Sequence, residues 1–312
     1  MHQKLDKTTI TVLCLLALTA ILLVIFMINI VDRSGEHVTA IKNTKVMGPG
    51  ANFASAVNSE DDLTAMNIRQ ENSAHPSCTV ADGTIKEAMF RKIEQIKNLR
   101  ELSLKRCEFK GSDFQILEKT RIQSIHFDEA NLDEQCLQAI GRLPLLRHIE
   151  MFACDLRPHA LARLSDSRVR WVQLRYSQNI STNSEFTADD LGALSEIKNL
   201  TFLELERSKF APGSFRALSK CGALALNVER CDVTDDDVID IAKMPNLGYL
   251  NLARNAKVTC KGLRALLQSK TIQQISFTED ISKCGFTIAE QKKLNPRLFL
   301  IPQQLWQKFS DQ

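Results

Sequence analysis

One stretch in the second half of the chain carries a mixed pattern of apolar and polar positions. Its apolar residues are Val238, Ile241, Met244, Leu247, Leu250 and Leu252, spaced by three, three, three, three and two. Spacing of three predicts a short helix and then an open turn, and the closing alternation predicts a strand with two different faces. Because no single helix or strand sustains this pattern, we interpret the stretch as one compound unit.

The same unit recurs along the chain. Its L-x-x-L-x-L cores begin at Leu99, Ile122, Leu146, Val169, Leu200, Ala223, Leu247 and Ile272. The steps between these first positions are 23, 24, 23, 31, 23, 24 and 25 residues, and the long step comes from an insertion at 177–186. A degenerate unit around Cys78 and Val80 is predicted to cap the N-terminal end. Recurring units of this length predict a solenoid, in which stacked units bury a continuous core that no single unit could form.

A helix start signal follows each strand in most units. Residues suited to the N-cap position are Ser112, Asp133, Thr187, Thr234, Thr259 and Thr287. Such side chains accept hydrogen bonds from the first free backbone amides of a helix. The predicted fold is therefore an α/β solenoid, with a parallel sheet on the concave side and short helices on the convex side.

The repeats resemble those of leucine-rich-repeat proteins. The resemblance is carried by the segments Met244-Pro-Asn-Leu-Gly-Tyr-Leu-Asn-Leu-Ala-Arg-Asn and Val258-Thr-Cys-Lys-Gly-Leu-Arg-Ala-Leu, and it is closest to the cysteine-containing and GALA-like subclasses. It covers residues 75–312, about eight repeats plus caps. The resemblance implies a horseshoe that binds a protein or a peptide, but repeats of this kind occur in many unrelated binding proteins.

The residues before the repeats predict a membrane anchor. Residues 10–31 form an uncharged apolar run whose length as a helix, roughly 33 Å, matches a hydrocarbon core of about 30 Å. We therefore predict a tail at 1–9, a single transmembrane helix at 10–31 and a flexible linker at 32–74; a cleaved signal peptide is the alternative. The short basic tail places the repeat domain outside the cytoplasm, although lysine and arginine counts on the two sides are nearly balanced.

The cysteines favour a compartment opposite to the one inferred from the basic tail. Cys107, Cys154 and Cys231 occupy the inward position at the end of the repeat core, where we expect them to bond loop backbone of neighbouring coils. The other repeat-domain cysteines, including Cys260 and Cys284, show no C-x-x-C spacing, so a zinc site is not expected. Many unpaired thiols are typical of a reducing compartment. This conflicts with the orientation inferred from the tail, and the sequence leaves the conflict open.

The third, fifth and seventh positions of each core are predicted to face the concave surface. They place an aromatic row there, made of Trp171 and Phe202 with Tyr249 and Phe152 nearby, beside Arg175 and an acidic strip of Glu150, Glu204, Glu206 and Glu229. Exposed aromatic residues beside charges are typical of protein interfaces, so these nine residues are the predicted partner-binding site. In the alternative, the insertion at 177–186 covers the aromatic residues and the glutamates form a solvated face.

A polar cluster on neighbouring strands carries the rival interpretation. Its members are His126, Asp128, His148 and Glu150, which could bind a metal or perform acid–base chemistry in a hydrolase. No metalloprotease, serine hydrolase or phosphate-binding motif accompanies it, so we expect no enzyme, no metal and no cofactor. A second alternative is a recruiting adaptor such as the substrate receptor of a ligase. The net charge of +3 is too small to indicate a nucleic-acid partner.

Overall fold

The computed structural model describes residues 66–69, 76–157, 159–179, 185–278 and 284–294. The strands in these ranges are β1 Met66–Arg69, β2 Ser77–Ile85, β3 Glu101–Phe109, β4 Ser124–Asp128, β5 Asn131–Leu132, β6 His148–Phe152, β7 Asp155–Leu156, β8 Trp171–Arg175, β9 Gln178–Asn179, β10 Glu185–Phe186, β11 Phe202–Glu204, β12 Lys209–Phe210, β13 Ala225–Asn227, β14 Tyr249–Asn251 and β15 Gln274–Ser276. Ten of them form one sheet, in the order β1-β2-β3-β4-β6-β8-β11-β13-β14-β15.

From β2 onward, every strand of the main sheet is parallel to its neighbours. The register is constant, because the same repeat position pairs across each step. Val172, for example, pairs with Leu203 across the 31-residue step, and Leu226 pairs with Leu250 across an ordinary one. The register inferred from the apolar spacing is therefore confirmed, and the chain folds as a leucine-rich-repeat solenoid.

The first strand, β1, lies inside the range that the sequence predicts as linker. It pairs antiparallel with β2, and Met66 lies opposite Val80. This pairing covers the outer edge of β2, an edge that would otherwise present unpaired backbone groups. The remainder of the predicted linker, the tail at 1–9 and the transmembrane segment at 10–31 lie outside the described residues. Among the helices that are described, none has the length and apolar content needed to span a bilayer.

Short helices follow the strands and enclose the core. The α-helices of the described ranges are α1 Glu87–Glu94, α2 Glu134–Gly141, α3 Ala188–Ser195, α4 Asp235–Ile241, α5 Cys260–Leu266 and α6 Ile288–Leu294; the 3-10 helices are Gly111–Lys119, Ala160–Leu164 and Ser214–Lys220. The core between sheet and helices is closed, and residues such as Leu102, Phe114, Leu226 and Leu250 are 0 % exposed.

Several of the predicted N-cap residues begin α-helices. Asp133, Thr187 and Thr234 each accept a hydrogen bond from a first-turn amide, and each precedes an α-helix as predicted. The Ser112 prediction is wrong, because the 3-10 helix Gly111–Lys119 begins after Lys110, which makes no side-chain cap. The absence of a cap does not determine the helix type, since α1 also begins without one, after Lys86.

The inward position that ends each repeat core joins consecutive coils. The Cys231 thiol donates to the Leu205 carbonyl at 2.7 Å, and the Ser177 hydroxyl donates to the Met151 carbonyl at 2.9 Å. Asn255 is fully buried, donates to the Val228 carbonyl at 2.8 Å and accepts from the Cys231 amide at 3.1 Å. The Cys107 thiol likewise donates to the Val80 carbonyl of the preceding coil at 3.5 Å, so the structural role expected for Cys107 and Cys231 is confirmed. The Cys154 thiol donates to the Phe152 carbonyl of its own coil at 3.3 Å.

One residue per repeat, directly before this inward position, adopts a left-handed backbone. These residues are Arg106, Glu129, Ala153, Tyr176, Arg207, Arg230 and Arg254, with φ between 49° and 60°. A left-handed conformation costs a non-glycine residue about 1–2 kcal/mol. It also turns the amide toward the next coil, where the Ala153 amide, for example, donates to the Arg175 carbonyl at 2.8 Å. The hydrogen bond offsets the backbone cost and sets the stacking of the coils.

Two cysteines that the sequence analysis treats as unpaired form a disulfide. Cys260 and Cys284, 24 residues apart, are bonded with a Cα–Cα distance of 5.2 Å. The prediction of unpaired thiols is wrong for these two residues, because one repeat length separates them and brings their Cα atoms within disulfide reach. The other cysteines within the described ranges, Cys78, Cys107, Cys136, Cys154, Cys221 and Cys231, are free and buried.

Candidate functional site

Outward residues of the main sheet line up in columns, because the register is constant across the repeats. In the third column, His148 pairs with Trp171, Trp171 with Phe202, Phe202 with Ala225 and Ala225 with Tyr249. In the seventh column, Phe152 pairs with Arg175. Seven of the nine predicted partner-binding residues therefore lie on one face of the sheet, opposite the core, whereas Glu206 and Glu229 follow the ends of β11 and β13. We call this face the concave face.

The aromatic residues of the third column are in contact. The Trp171 and Phe202 rings are tilted, with centroids 5.8 Å apart, and the His148 imidazole stacks on the Trp171 indole at 4.5 Å. All three side chains are partly exposed. Tyr249 is separated from Phe202 by the strand of Ala225. The predicted aromatic row thus begins at a histidine that the sequence analysis assigns to another cluster.

Phe152 belongs to a second aromatic group at the ends of the strands. Its ring contacts Tyr176 at 5.3 Å, and the Arg175 guanidinium lies 5.8 Å from its centroid. The Arg207 guanidinium lies 4.7 Å from the centroid of Tyr176, which is 43 % exposed. Tyr176 and Arg207 were not predicted as site residues. Both occupy the left-handed position, which lies outside the alternating strand positions used to predict the site.

A chain of hydrogen bonds runs beside the third column. Ser124 lies between two histidines, with its Oγ 2.9 Å from His126 Nε2 and 2.8 Å from His148 Nδ1. His148 Nε2 then contacts Gln173 Oε1 at 2.6 Å, and Gln173 Nε2 donates to Glu204 at 2.8 Å. Four strands of the concave face, β4, β6, β8 and β11, are thereby connected through polar side chains.

The direction of this chain follows from its ends. Glu204 accepts from Gln173, so the Gln173 oxygen faces His148, and His148 Nε2 must carry the proton that it donates. A neutral His148 then accepts at Nδ1 from the Ser124 hydroxyl. Burial, followed by the charge of His126, lowers the pKa of His148 to about 4, so the neutral form is the one present near pH 7.

Glu150 lies at the other end of this hydrogen-bond network, beside His126. His126 Nδ1 lies 2.7 Å from Glu150 Oε2, and Arg175 binds the second oxygen. Burial opposes ionisation of Glu150, but the His126 hydrogen bond and the Arg175 charge outweigh it and hold its pKa well below the usual range. Arg175 also lies 3.9 Å from Glu204. Glu150 is therefore a fixed anion rather than a solvated one.

The rest of the acidic strip is more buried than the sequence predicts. Glu206 is 8 % exposed and Glu229 is 7 % exposed. Burial, and then the charges of Glu204 and Glu229, raise the pKa of Glu206 to about 7. Burial likewise raises the pKa of Glu204. Each of these carboxylates also has an arginine nearby: Arg175 lies 3.9 Å from Glu204, Arg207 lies 3.2 Å from Glu206, and Arg254 lies 3.4 Å from Glu229.

The rival cluster is only partly assembled. Ser124 connects His126 with His148, and His126 contacts Glu150 directly. Asp128 lies instead in the seventh column, opposite Phe152. Within the described residues, no group of three His, Cys, Asp or Glu side chains is arranged to hold a metal ion. Ser124 was visible as an outward position in the sequence, but its place between two histidines depends on side-chain conformations that spacing does not reveal.

The insertion at 177–186 pairs away from the concave face where it is described. Gln178–Asn179 pairs with Asp155–Leu156, and Glu185–Phe186 pairs with Lys209–Phe210, in two small sheets beyond the ends of the main strands. These residues do not cover Trp171 or Phe202. The remaining residues of the insertion, 180–184, lie outside the described ranges.

Comparison with known proteins finds similarity to solved leucine-rich-repeat structures. No family model and no curated protein matches the chain. A crystal structure of an internalin (inlF) from Listeria monocytogenes is 17 % identical with a TM-score of 0.46, and the match covers 65 % of this chain and 54 % of that one. Internalin C2 from the same organism is 16 % identical with a TM-score of 0.43, covering 65 % and 80 %.

The yeast Rad7 and Elc1 complex is also similar, at 15 % identity and a TM-score of 0.37, with 71 % of this chain and 66 % of that one covered. The chain spans about half the length of the inlF structure. Similarities this low transfer neither a partner nor an activity to this chain.

Proposed function

We propose that this chain is a membrane-anchored binding module that holds a protein or peptide on the concave face of its leucine-rich repeats. The carrying observation is the contact row of His148, Trp171 and Phe202, whose rings remain partly exposed while the core behind them is closed. Rings held in place by their neighbours lose little conformational freedom on binding, which favours their use as interface anchors.

The polar network supports this function by fixing the charges around the rings. Glu150, Arg175 and Glu204 are held by hydrogen bonds and ion pairs, so a partner meets a pattern of charges that is already ordered. Ordered charges contribute to the choice of partner and to its orientation more than to raw affinity. The aromatic row would therefore provide apolar burial, and the network would select among partners.

The proposed position of the repeat domain is outside the cytoplasm, connected to the membrane through residues 10–31. The Cys260–Cys284 disulfide supports an oxidising compartment. The free cysteines of the described ranges do not oppose it, because burial raises their pKa, that of Cys78 to about 11 and that of Cys154 to about 12. Buried thiols with raised pKa react slowly, so they persist unpaired among oxidants.

Protease treatment of intact cells tests this position. If the repeat domain is outside, cleavage within the linker at 32–74 releases a fragment carrying the repeats into the medium. A chain that resists cleavage until the cells are permeabilised would place the repeats inside. Carbonate extraction of the full chain separately tests the membrane anchor, because recovery of the chain in the soluble fraction would contradict the anchor.

Capture of a partner by the purified full chain tests the binding function. The Trp171→Ala/Phe202→Ala double variant should lose a protein that the native chain retains, and an Ile288→Ala variant, changed at an exposed residue of α6, should keep it. Capture at native strength by the double variant would show that the binding site is not on the concave face, and the insertion at 177–186 would become the candidate site. Melting curves of all three proteins show whether each is folded.

A second candidate function is serine hydrolysis, which one set of distances favours. Ser124 Oγ, His126 Nε2, His126 Nδ1 and Glu150 Oε2 are connected by contacts of 2.9 and 2.7 Å, the order of a nucleophile, a base and an orienting carboxylate. Against it, the Ser124 hydroxyl is directed to His148, and the Ser124 amide is used by the Arg100 carbonyl. Labelling of Ser124 by a fluorophosphonate, lost in Ser124→Ala, would establish the hydrolase; the binding proposal predicts no labelling.

A further inference from the structure

The third column contains a gap in its row of large side chains. Ala225 lies between Phe202 and Tyr249, and the register pairs it with both. The backbones of Phe202 and Tyr249 are therefore two strand spacings apart, about 10 Å, with only a methyl group between them. The result is a cleft with an aromatic wall on each side, which we call the Ala225 cleft.

Carboxylates lie at the end of this cleft toward the strand termini. Glu204 follows Phe202 by two residues on β11, and Glu229 follows Ala225 by four. Burial, and then the charges of Glu229 and Glu204, raise the pKa of the Tyr249 hydroxyl. Glu204 is bound by Gln173 at 2.8 Å, and Glu229 is bound by Arg254 at 3.4 Å, so both carboxylates are held in place.

The floor of the cleft offers a hydrogen-bond donor. Asn227, which is 9 % exposed, pairs with Glu204 across the sheet and accepts at Oδ1 from the Glu229 amide at 3.0 Å. Its Nδ2 group is an amide donor, and a peptide carbonyl of the partner is a suitable acceptor for it.

An exposed apolar residue lies at the opposite end. Leu224 directly precedes Ala225 and is 52 % exposed, although it is as large as any core residue. On the neighbouring strand it faces Gly248, whose lack of a side chain leaves Leu224 uncovered. The cleft therefore runs from an apolar entrance, between two aromatic rings, to an anionic end.

We propose that the Ala225 cleft holds the side chain of a lysine or arginine residue from an extended segment of the partner. This inference rests on the proposed binding function and specifies the chemistry of the partner's anchor. The aliphatic part of the side chain lies between Phe202 and Tyr249, and the cation reaches the carboxylates of Glu204 and Glu229. Aromatic faces attract cations, and ionised carboxylates favour them further.

Other side chains fit the cleft less well. An acidic side chain would meet two carboxylates of the same sign, and like charges at an interface are strongly unfavourable. A purely apolar side chain would cover Glu204 and Glu229 without adding a hydrogen bond or a charge to either carboxylate, and covering polar groups in this way is unfavourable. A basic side chain alone matches both the apolar entrance and the anionic end.

Blocked tripeptides titrated into the full chain test the proposal. The peptides Ala-Lys-Ala and Ala-Arg-Ala are compared with Ala-norleucine-Ala and Ala-Glu-Ala, and the signal is the ¹³C-labelled methyl group of Ala225, assigned from Ala225→Gly. We expect saturable shifts with the two basic peptides and binding at least roughly tenfold weaker for the norleucine peptide. Equal binding of the norleucine and lysine peptides, or no saturable shift up to the solubility limit of the peptides, would overturn the proposal.

Matched variants show whether the carboxylates are responsible. In Glu204→Gln/Glu229→Gln, whose side chains keep their shape, the basic peptides should bind roughly tenfold more weakly. In Glu118→Gln, the same change on an exposed helix residue, binding should be unchanged. Unchanged binding in the double variant would contradict the inference. If the tripeptides fail while Trp171→Ala/Phe202→Ala still loses its captured partner, the cleft assignment falls and the binding function stands.

Discussion

The imidazole of His148 stacks on the indole of Trp171, with ring centroids 4.5 Å apart and planes inclined by 29°. This contact joins the two features that the sequence analysis treats as competitors, the aromatic row and the histidine cluster. The same imidazole accepts from Ser124 and donates to Gln173. The histidine cluster therefore supports the aromatic row, and the concave face behaves as one ordered surface.

Replacing His148 should change how stability depends on pH. Its pKa is lowered to about 4 in the folded protein, so below about pH 6.5 the unfolded chain binds a proton that the folded chain does not. The native arrangement is fully stable above that pH and loses up to about 3 kcal/mol as pH falls toward 4. In His148→Phe, which keeps a ring on Trp171, this part of the acid destabilisation should vanish from urea-unfolding curves. A His159→Asn control should keep it, and equal slopes in all three proteins would refute the assignment.

Neutralising Glu206 should have the opposite dependence on pH. The pKa of Glu206 is raised to about 7 by burial, Glu204 and Glu229, and it is lowered less by Arg175 and Arg230, while Arg207 lies 3.2 Å away. Ionisation therefore favours the unfolded chain increasingly as the pH rises from 4.5 to about 7, and the effect stays constant at higher pH. Glu206→Gln should raise the free energy of unfolding by roughly 2 kcal/mol at pH 8 and change it little at pH 4.5. A gain of equal size at both pH values would contradict this, and Glu118→Gln serves as the exposed control.

Two leucines of adjacent repeats provide a test of the register. Leu250 is 0 % exposed and Leu224 is 52 % exposed. Leu250→Asp buries an unpaired charge and should cost more than about 3 kcal/mol. Leu224→Asp places the same side chain in water and should change stability by less than about 0.5 kcal/mol. Similar melting temperatures for the two variants would mean that the assignment of inward and outward positions is wrong.

The disulfide should close the C-terminal end of the solenoid. A bond that closes a loop of 24 residues is expected to contribute about 3 kcal/mol by restricting the unfolded chain. Cys260→Ala/Cys284→Ala should lose that amount in chemical unfolding, and a reductant should have no further effect on the variant. In a Cys14→Ser background, native protein should resist maleimide until it is reduced, because the free cysteines of the described ranges are buried. Rapid labelling without reductant would contradict the pairing.

Much of the fold could be predicted because apolar spacing determines register. The 31-residue step did not obscure it, since Val172 and Leu203 are the same repeat position and they pair directly. The strand residues of the predicted partner-binding site share one face for the same reason. β1 could not be predicted, because it forms in a polar stretch where pairing with an open strand edge, rather than a core, provides the stabilisation.

The connections within the site depend on properties that spacing does not show. Ser124 occupied a predicted outward position, but its two histidine contacts depend on side-chain rotamers. The left-handed backbone positions could not be recognised by the presence of glycine, because other residues, such as Arg207 and Arg254, occupy them. The disulfide joined residues of two different local structures, a helix start and a segment after the last described strand, so no shared pattern marked it.

Photo-crosslinking from the concave face tests the central claim most directly. A benzoylphenylalanine residue is placed at Phe202 in the full-length chain, in its own cells, and a matched one is placed at Ile288, which is 74 % exposed on α6. The account predicts one distinct protein adduct from position 202, absent from position 288 and lost when Trp171→Ala is added. An equal adduct from position 288, or none from position 202 in folded protein, would show that the concave face is not where the partner binds.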